Sequence, residues 1–374
     1  MVIGAIILMK RRHLFSIDVR TDLWLFFLYA YMLVSAAWSV DPGASAKRWL
    51  RTVGDLIMVL VVLSEEDERE AFEHLLTRCA IVLLPLSIIL IKYYRPIGVS
   101  YNPFGEMMNV GVTTQKNALG ILCAVSGVLF LWRLMRGLPR VNFLNAFYLG
   151  LSVYLLHLSQ SATSTVVFIA GSLVLCFNMV FKLNRKSHNR VVIALLLFMI
   201  LVQVFMTNAL GDSLIPDLFS ATGRDNTLTG RVPLWRDLIV IGSQRPVFGA
   251  GYGGFWFSHL SSGLWAKHPW RPVSGHNGYI DLYLELGVVG LVLFFLLLVG
   301  TFRKVLHRLE ANDATDKLDF ALLFMIVLHN ITESSYAKAV SFLWILFLFV
   351  VVVVGKRERS QNGVSQEPCA VTAG

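Results

Sequence analysis

Long apolar blocks separated by short polar connections dominate this chain. Blocks near 22–40, 75–92, 117–132, 143–158, 163–181, 191–209, 277–302, 319–333 and 339–354 approach the length needed to cross a bilayer, and a shorter one lies near 52–64. A hydrocarbon core of ~30 Å calls for roughly 20 apolar residues in a helix. The opening MVIGAIILM is too short to cross alone and is followed by KRRH. It reads as a clipped first span or a short signal-like segment, and with no small-residue cleavage site after it, removal is not expected. Strand-like alternation is absent, and in lipid only helices or closed barrels satisfy their own backbone. The pattern therefore predicts an all-α integral membrane protein, a polytopic bundle of about 10–11 transmembrane helices. One large external (periplasmic) loop, 210–276, is expected to carry short amphipathic helices. Residues 1–356 form a single transmembrane domain in this reading, and 357–374 form a polar, disordered cytoplasmic tail.

Composition strengthens the membrane assignment. Of 374 residues, 56% are hydrophobic and 15% charged, and the mean hydropathy of +0.64 lies outside the range of soluble domains. The formal charge of +9 is spread over the connections instead of forming a patch, which argues against nucleic acid as a partner. Lys and Arg collect in 133–140, 182–190, 303–317 and the tail, which puts these segments and the C-terminus in the cytoplasm. The acidic run SEEDERE, 64–70, falls on the same side and is expected to be a solvated loop with no special role. Two outward segments are more basic than that rule predicts: 93–116, with Arg95 and Lys116, and 210–276, with Arg224, Arg231, Arg236, Arg245, Lys267 and Arg271. Either a long loop tolerates these charges, or an anionic ligand is held on the outer face. The cysteines form no CxxC pair, so neither a disulfide framework nor a zinc ribbon is indicated.

Several features of the outward loop carry chemistry. Arg224 and Arg231 stand seven apart, each preceded by glycine, and two guanidinium forks suit a pyrophosphate. From Pro233 to Gln244 the pattern turns helical, with Leu234, Leu238 and Ile241 on one stripe. Such a helix either lies in the membrane interface or packs on the bundle. GAGYGG, 249–254, fits GxGxxG, but no strand precedes it and no ribose-binding acid follows. A tight turn is expected there, with Phe255, Trp256 and Phe257 at the membrane interface. His259, His268 and His276 match no common ligand spacing, so no metal is called for.

In GHNGYIDLYLELGVVG, 275–290, a helix would put His276, Tyr279, Ile280, Tyr283, Gly287 and Gly290 on one face and Asn277, Asp281 and Glu285 on a second, polar one. Gly287 and Gly290 would let another helix approach. His329 and Glu333, one turn apart, either pair with each other or serve a site.

Three motifs together resemble one family. GVTTQKNALG (111–120), GRDNTLTGRVPLW (223–235) and HN followed by GVVG (276–290) are similar to the bacterial O-antigen ligase and Wzy-type polysaccharide polymerase family, particularly its exopolysaccharide polymerase branch. The similar hydropathy extends over nearly the whole chain. The resemblance implies a metal-independent, inverting glycosyltransferase without cofactor, acting at the outer face of the bacterial inner membrane on a glycan carried by undecaprenyl pyrophosphate. It implies His276 as catalytic base, Arg231, Arg224 and Lys116 as pyrophosphate-binding residues, and Asn117, through the KN motif, as a site residue. Asn277, Tyr279, Asp281, Glu285 and Glu333 are further candidates for acceptor contact or structural support. The implied partners are the lipid-linked donor, a glycan or lipid acceptor and membrane lipids, with a chain-length regulator or export proteins beside them. Polymerisation of lipid-linked repeats is the favoured reading. The alternatives are a ligase moving finished glycan to a lipid A core or another terminal acceptor, and a transporter or flippase. The short apolar start departs from the full first span expected of the family.

Overall fold

The computed structural model describes residues 2–11, 23–102, 105–137, 142–180, 227–256, 258–268, 270–309 and 314–364. The expected span 191–209, the basic connection 182–190, Arg224, Phe257 and the last residues of the tail lie outside them. The described chain is a helical membrane protein. Its elements are α1 (Val2–Lys10), α2 (Leu23–Ser35), α3 (Pro42–Val62), α4 (Glu68–Tyr93), the single turn α5 (Arg95–Gly98), β1 (Val99–Tyr101), β2 (Met107–Asn109), α6 (Lys116–Met135), α7 (Asn142–Ser159) and α8 (Ala162–Val180). There follow α9 (Thr227–Gly242), α10 (His259–Lys267), α11 (Gly278–Leu309), α12 (Ala314–Thr332) and α13 (Phe342–Val364). Among the described residues α4, α6, α8 and α11 are each long and apolar enough to cross a membrane.

Burial sorts the helices into centre and rim. Nearly every residue of α12 from Asp316 to Ile331 is buried, as is α6 from Leu119 to Phe130. By contrast, α4 leaves Val82, Leu86 and Ile89 exposed, and α8 leaves Val166, Ile169 and Leu173 exposed. Apolar side chains facing outward are what a lipid-facing helix presents, the reverse of a soluble surface helix. Small residues bring the central helices together. A side chain at Gly120 would collide with Ser161, just before α8, and Ser164 within it, and one at Gly171 with Met325 of α12.

The helix α11 is two helices in series. Gly287, at φ 64 and ψ −164, breaks it, and the turn 246–250 repairs the break. Val288 N and Val289 N donate to Pro246 O and Val247 O at 2.9 and 3.2 Å, and Ala250 N donates to Leu284 O at 2.9 Å. Any side chain at Gly287 would strike the Val247 carbonyl. Gly287 thus admits a backbone turn, where an approaching helix was expected. At Gly290 the nearest neighbour is Leu286 of the same helix.

Other expectations are corrected. The tight turn at GAGYGG is present, with Gly249, Gly251 and Gly253 at positive φ. Phe255 and Trp256, however, are buried with Trp235, Leu238, Ile280 and Leu284 in a core of their own instead of resting at the interface. The helix expected from Pro233 begins at Thr227, which puts Arg231 within it. It packs Leu234 and Leu238 inward beside Trp235. A short antiparallel hairpin, β1 with β2, follows α5 although no strand pattern was seen. The run 64–70 is more than a solvated loop: Asp67 caps α4 by accepting from Arg69 N and Glu70 N. Arg69 reaches the buried Asp316 and Asp319 of α12. The last helix continues to Val364, past the start expected for the tail.

Candidate active site

The site lies where α6 begins and α12 ends, and one carboxylate organises it. Glu333 is the first residue beyond α12, its N–H still bonded to His329 O at 2.9 Å. Its Oε1 accepts from Asn117 Nδ2 at 2.5 Å and from Arg231 Nη2 at 2.8 Å, and its Oε2 meets His276 Nδ1 at 3.1 Å. Residues 117, 231, 276 and 333 come from α6, α9, the lead-in to α11 and the end of α12, so only the tertiary fold assembles them. Arg231 is 9% exposed. Its other Nη donates to Thr332 O at 2.5 Å, so the guanidinium is clamped across the end of α12.

The backbone at His276 is held in an unusual state. Its φ of 46 lies in the left-handed region, which side-chain-bearing residues adopt at a cost and which clusters at functional sites. The residues around it are pinned. Gly275 N donates to Asp281 Oδ1 at 2.8 Å, and Gly275 O accepts from Trp235 Nε1 at 2.6 Å. Gly278 N donates to Glu333 O at 3.0 Å. Asn277 caps α11 by accepting from Tyr279 N and Ile280 N, and donates to Ile331 O at 2.9 Å. A side chain at Gly278 would strike Asn330 and Tyr336, so glycine after HN is a packing requirement. His276 therefore precedes the helix, and the face it was expected to share with Tyr279 and Tyr283 does not exist.

This geometry determines which ring nitrogen is free to act. An ionised carboxylate only accepts, so the neutral imidazole carries its proton on Nδ1 toward Glu333, and Nε2 is left with the lone pair. The side chain is 24% exposed, with the Trp270 ring 5.8 Å from its own. Burial pushes the Glu333 carboxyl up, but the hydrogen bond from His276 and the charge of Arg231 outweigh it. The carboxyl is held well below its ordinary range.

The polar stripe of α11 has other work. Asp281 accepts from Trp256 Nε1 at 3.0 Å, Ser334 Oγ at 2.5 Å, Lys338 Nζ at 2.9 Å and the Gly275 N–H already named. It fixes the segment that presents His276 without touching the imidazole. Glu285 accepts from Gly253 N at 3.0 Å and so ties the glycine turn to the broken helix. Tyr279 donates to Val327 O at 3.2 Å and stacks on Phe295. Lys116 is the half-buried first residue of α6, next to Asn117. The other two histidines of the loop lie elsewhere: His259 is exposed, and His268 pairs with Asp237 at 3.0 Å.

The sequence left Glu333 either paired with His329 or serving a site, and its side chain turns to His276, Arg231 and Asn117. The available signal was an acid standing where an apolar span ends. Nothing local could link it to a histidine 57 residues earlier.

Residues 146–295 match the family model described as O-antigen ligase. The matched stretch contains Arg231 and His276 but neither Asn117 nor Glu333. The chain is also 29% identical over 301 residues to the exopolysaccharide production protein ExoQ of Rhizobium meliloti (strain 1021), an alignment covering 78% of this chain and 67% of that protein. Both bear out the resemblance carried by the three motifs.

Proposed function

We propose that this relative of the O-antigen ligase family is a membrane glycan transferase that moves a glycan from a polyprenyl-pyrophosphate carrier onto an acceptor hydroxyl. The observation that carries the reading is the His276–Glu333 contact, with Arg231 on the same carboxylate. Nε2 of His276 takes the proton of the acceptor hydroxyl as its oxygen bonds to the anomeric carbon of the donor sugar. The bond from that carbon to the pyrophosphate oxygen breaks, and the pyrophosphate leaves as an anion on its carrier. Glu333 keeps Nδ1 protonated and stabilises the imidazolium, as an oriented carboxylate does in other base-assisted transfers. Arg231, with Arg224 and Lys116 as further cations, is the group for the leaving pyrophosphate. Cationic donors placed on charge that grows in the transition state stabilise it.

Polymerisation of lipid-linked repeats, at the outer face of a bacterial inner membrane, is the preferred form of this reaction. It rests on the GRDNTLTGR motif and on the similarity to an exopolysaccharide production protein. In cells lacking the gene, long polymer is expected to disappear while single lipid-linked repeats persist. Polymer that accumulates on its carrier would instead identify a ligase, and unchanged polymer would contradict both. The break in α11 favours a second reading, since discontinuous helices line the sites of transporters. Movement of a lipid-linked glycan across vesicles of the purified protein, without release of free carrier, would select it.

A further inference from the structure

His329 is a buried titratable group that the proposed chemistry does not use. It is 5% exposed, and neither ring nitrogen has a hydrogen-bond partner among the described residues. Its position in the fold is well defined. Met325, four residues before it, packs against Gly171 of α8, and Thr332, three residues after it, meets Thr163 of α8 at 3.0 Å. Residues at these spacings share a helix face, so His329 faces the seam between α12 and α8, one turn from the carboxylate that organises the site. A buried polar group left unpaired destabilises a fold, and an apolar group of the same shape there is neutral or stabilising. Packing alone does not account for an imidazole in this seam.

Glu333 supplies a reason. Its Oε1 holds both Asn117 and Arg231. If Arg231 turns to a pyrophosphate, that oxygen loses its charged donor just as Oε2 must hold the imidazolium of His276. His329 is four residues earlier, and its carbonyl already accepts the Glu333 N–H at 2.9 Å. Side chains at that spacing on a helix reach each other.

We propose that His329 is a positioning residue of the transfer reaction, which donates a ring N–H to Glu333 when donor pyrophosphate draws Arg231 away. The proposal rests on the transferase reading of the site. It makes the site a relay of partners: the carboxylate exchanges an arginine for a histidine and stays ionised, oriented and bonded to the base throughout the reaction.

The test uses the purified full chain in proteoliposomes with a synthetic undecaprenyl-pyrophosphate disaccharide, reading release of free undecaprenyl pyrophosphate together with thermal stability. His329→Phe is expected to melt at or above the wild-type temperature while its turnover falls roughly tenfold, with donor KM changed less than about threefold. His329→Gln, which keeps an N–H donor, is expected to recover most of the turnover. If the larger ring prevents accumulation, His329→Leu is held to the same criteria. An active wild type with His329→Phe or His329→Leu within about twofold of it overturns the role of His329 alone. A glutamine variant as slow as the apolar one, or a large loss of melting temperature in both apolar variants, does the same. A wild type that releases no carrier, or that is matched by His276→Ala, overturns the reading of the site itself.

Discussion

Two clusters of buried charge sit at opposite ends of the bundle, and they resemble each other until their details are compared. At one end Arg69 pairs with Asp316 and Asp319, Arg133 pairs with Glu73, and Trp132 Nε1 donates to Ala314 O at 2.6 Å. These contacts tie the start of α4 and the end of α6 to the start of α12. At the other end Arg231, Asn117 and His276 converge on Glu333. Both clusters close helix ends with an arginine and a carboxylate. Only the second adds a partly exposed base, a left-handed backbone at that base and a buried imidazole without a partner. A buried ion pair is therefore weak evidence of a site, since helix ends in lipid need such pairs anyway. A partly exposed base on left-handed backbone is what separates the two ends.

Substitutions can break or sharpen that contrast. The largest effect is expected for His276→Ala, which removes the base and should lower transfer by roughly 10²–10⁴-fold while the protein still folds. Retention of full activity would remove His276 from the chemistry. Glu333→Gln keeps the shape but can present an amide N–H to the ring, so the tautomer is no longer fixed. A loss of at least about a hundredfold in turnover is expected, measured on detergent-purified protein of equal monodispersity. At the opposite end, Arg69→Met strands two buried carboxylates and should cost about 3–5 kcal/mol of stability. Activity per folded molecule should be unchanged, and a selective loss of turnover there would erase the distinction between the ends.

The smallest effect is expected on α9 and α10. Asp237 pairs with Lys267 and His268. Burial raises its carboxyl, but those two partners more than offset this and hold it below the ordinary range. A lowered carboxyl contributes stability that is present above its unfolded value and lost as pH falls through the folded one. Asp237→Asn should therefore cost less than about 1 kcal/mol at neutral pH, and the difference from wild type should shrink on acidification. A melting series across pH checks both the size and the sign.

The helices were legible in the sequence because lipid imposes a single, long-period signal. The blocks near 75–92, 117–132, 143–158 and 163–181 became α4, α6, α7 and α8, with boundaries shifted by at most three residues except at the start of α4, which lies seven residues earlier. The break at Gly287 was not legible, because it depends on a turn some forty residues earlier supplying two carbonyls to Val288 and Val289. The site was half legible. His276, Arg231 and Asn117 stand in motifs, whereas Glu333 stands in none and takes its meaning from three partners that chain order keeps far apart. Asn277, Asp281 and Glu285 looked like one polar face from their spacing. In the fold they cap a helix, clamp the segment before His276 and anchor a glycine turn, three tasks that periodicity cannot tell apart.

The most direct measurement is carrier release by purified protein in proteoliposomes fed a synthetic undecaprenyl-pyrophosphate glycan, compared among wild type, His276→Ala, Glu333→Gln and Arg69→Met. Free undecaprenyl pyrophosphate together with lengthened glycan is expected from the wild type and from Arg69→Met, and neither product from the other two beyond a trace. Equal release by all four, or movement of the lipid-linked glycan across the bilayer with no release at all, would contradict a histidine–carboxylate transferase at the Glu333 end of the bundle.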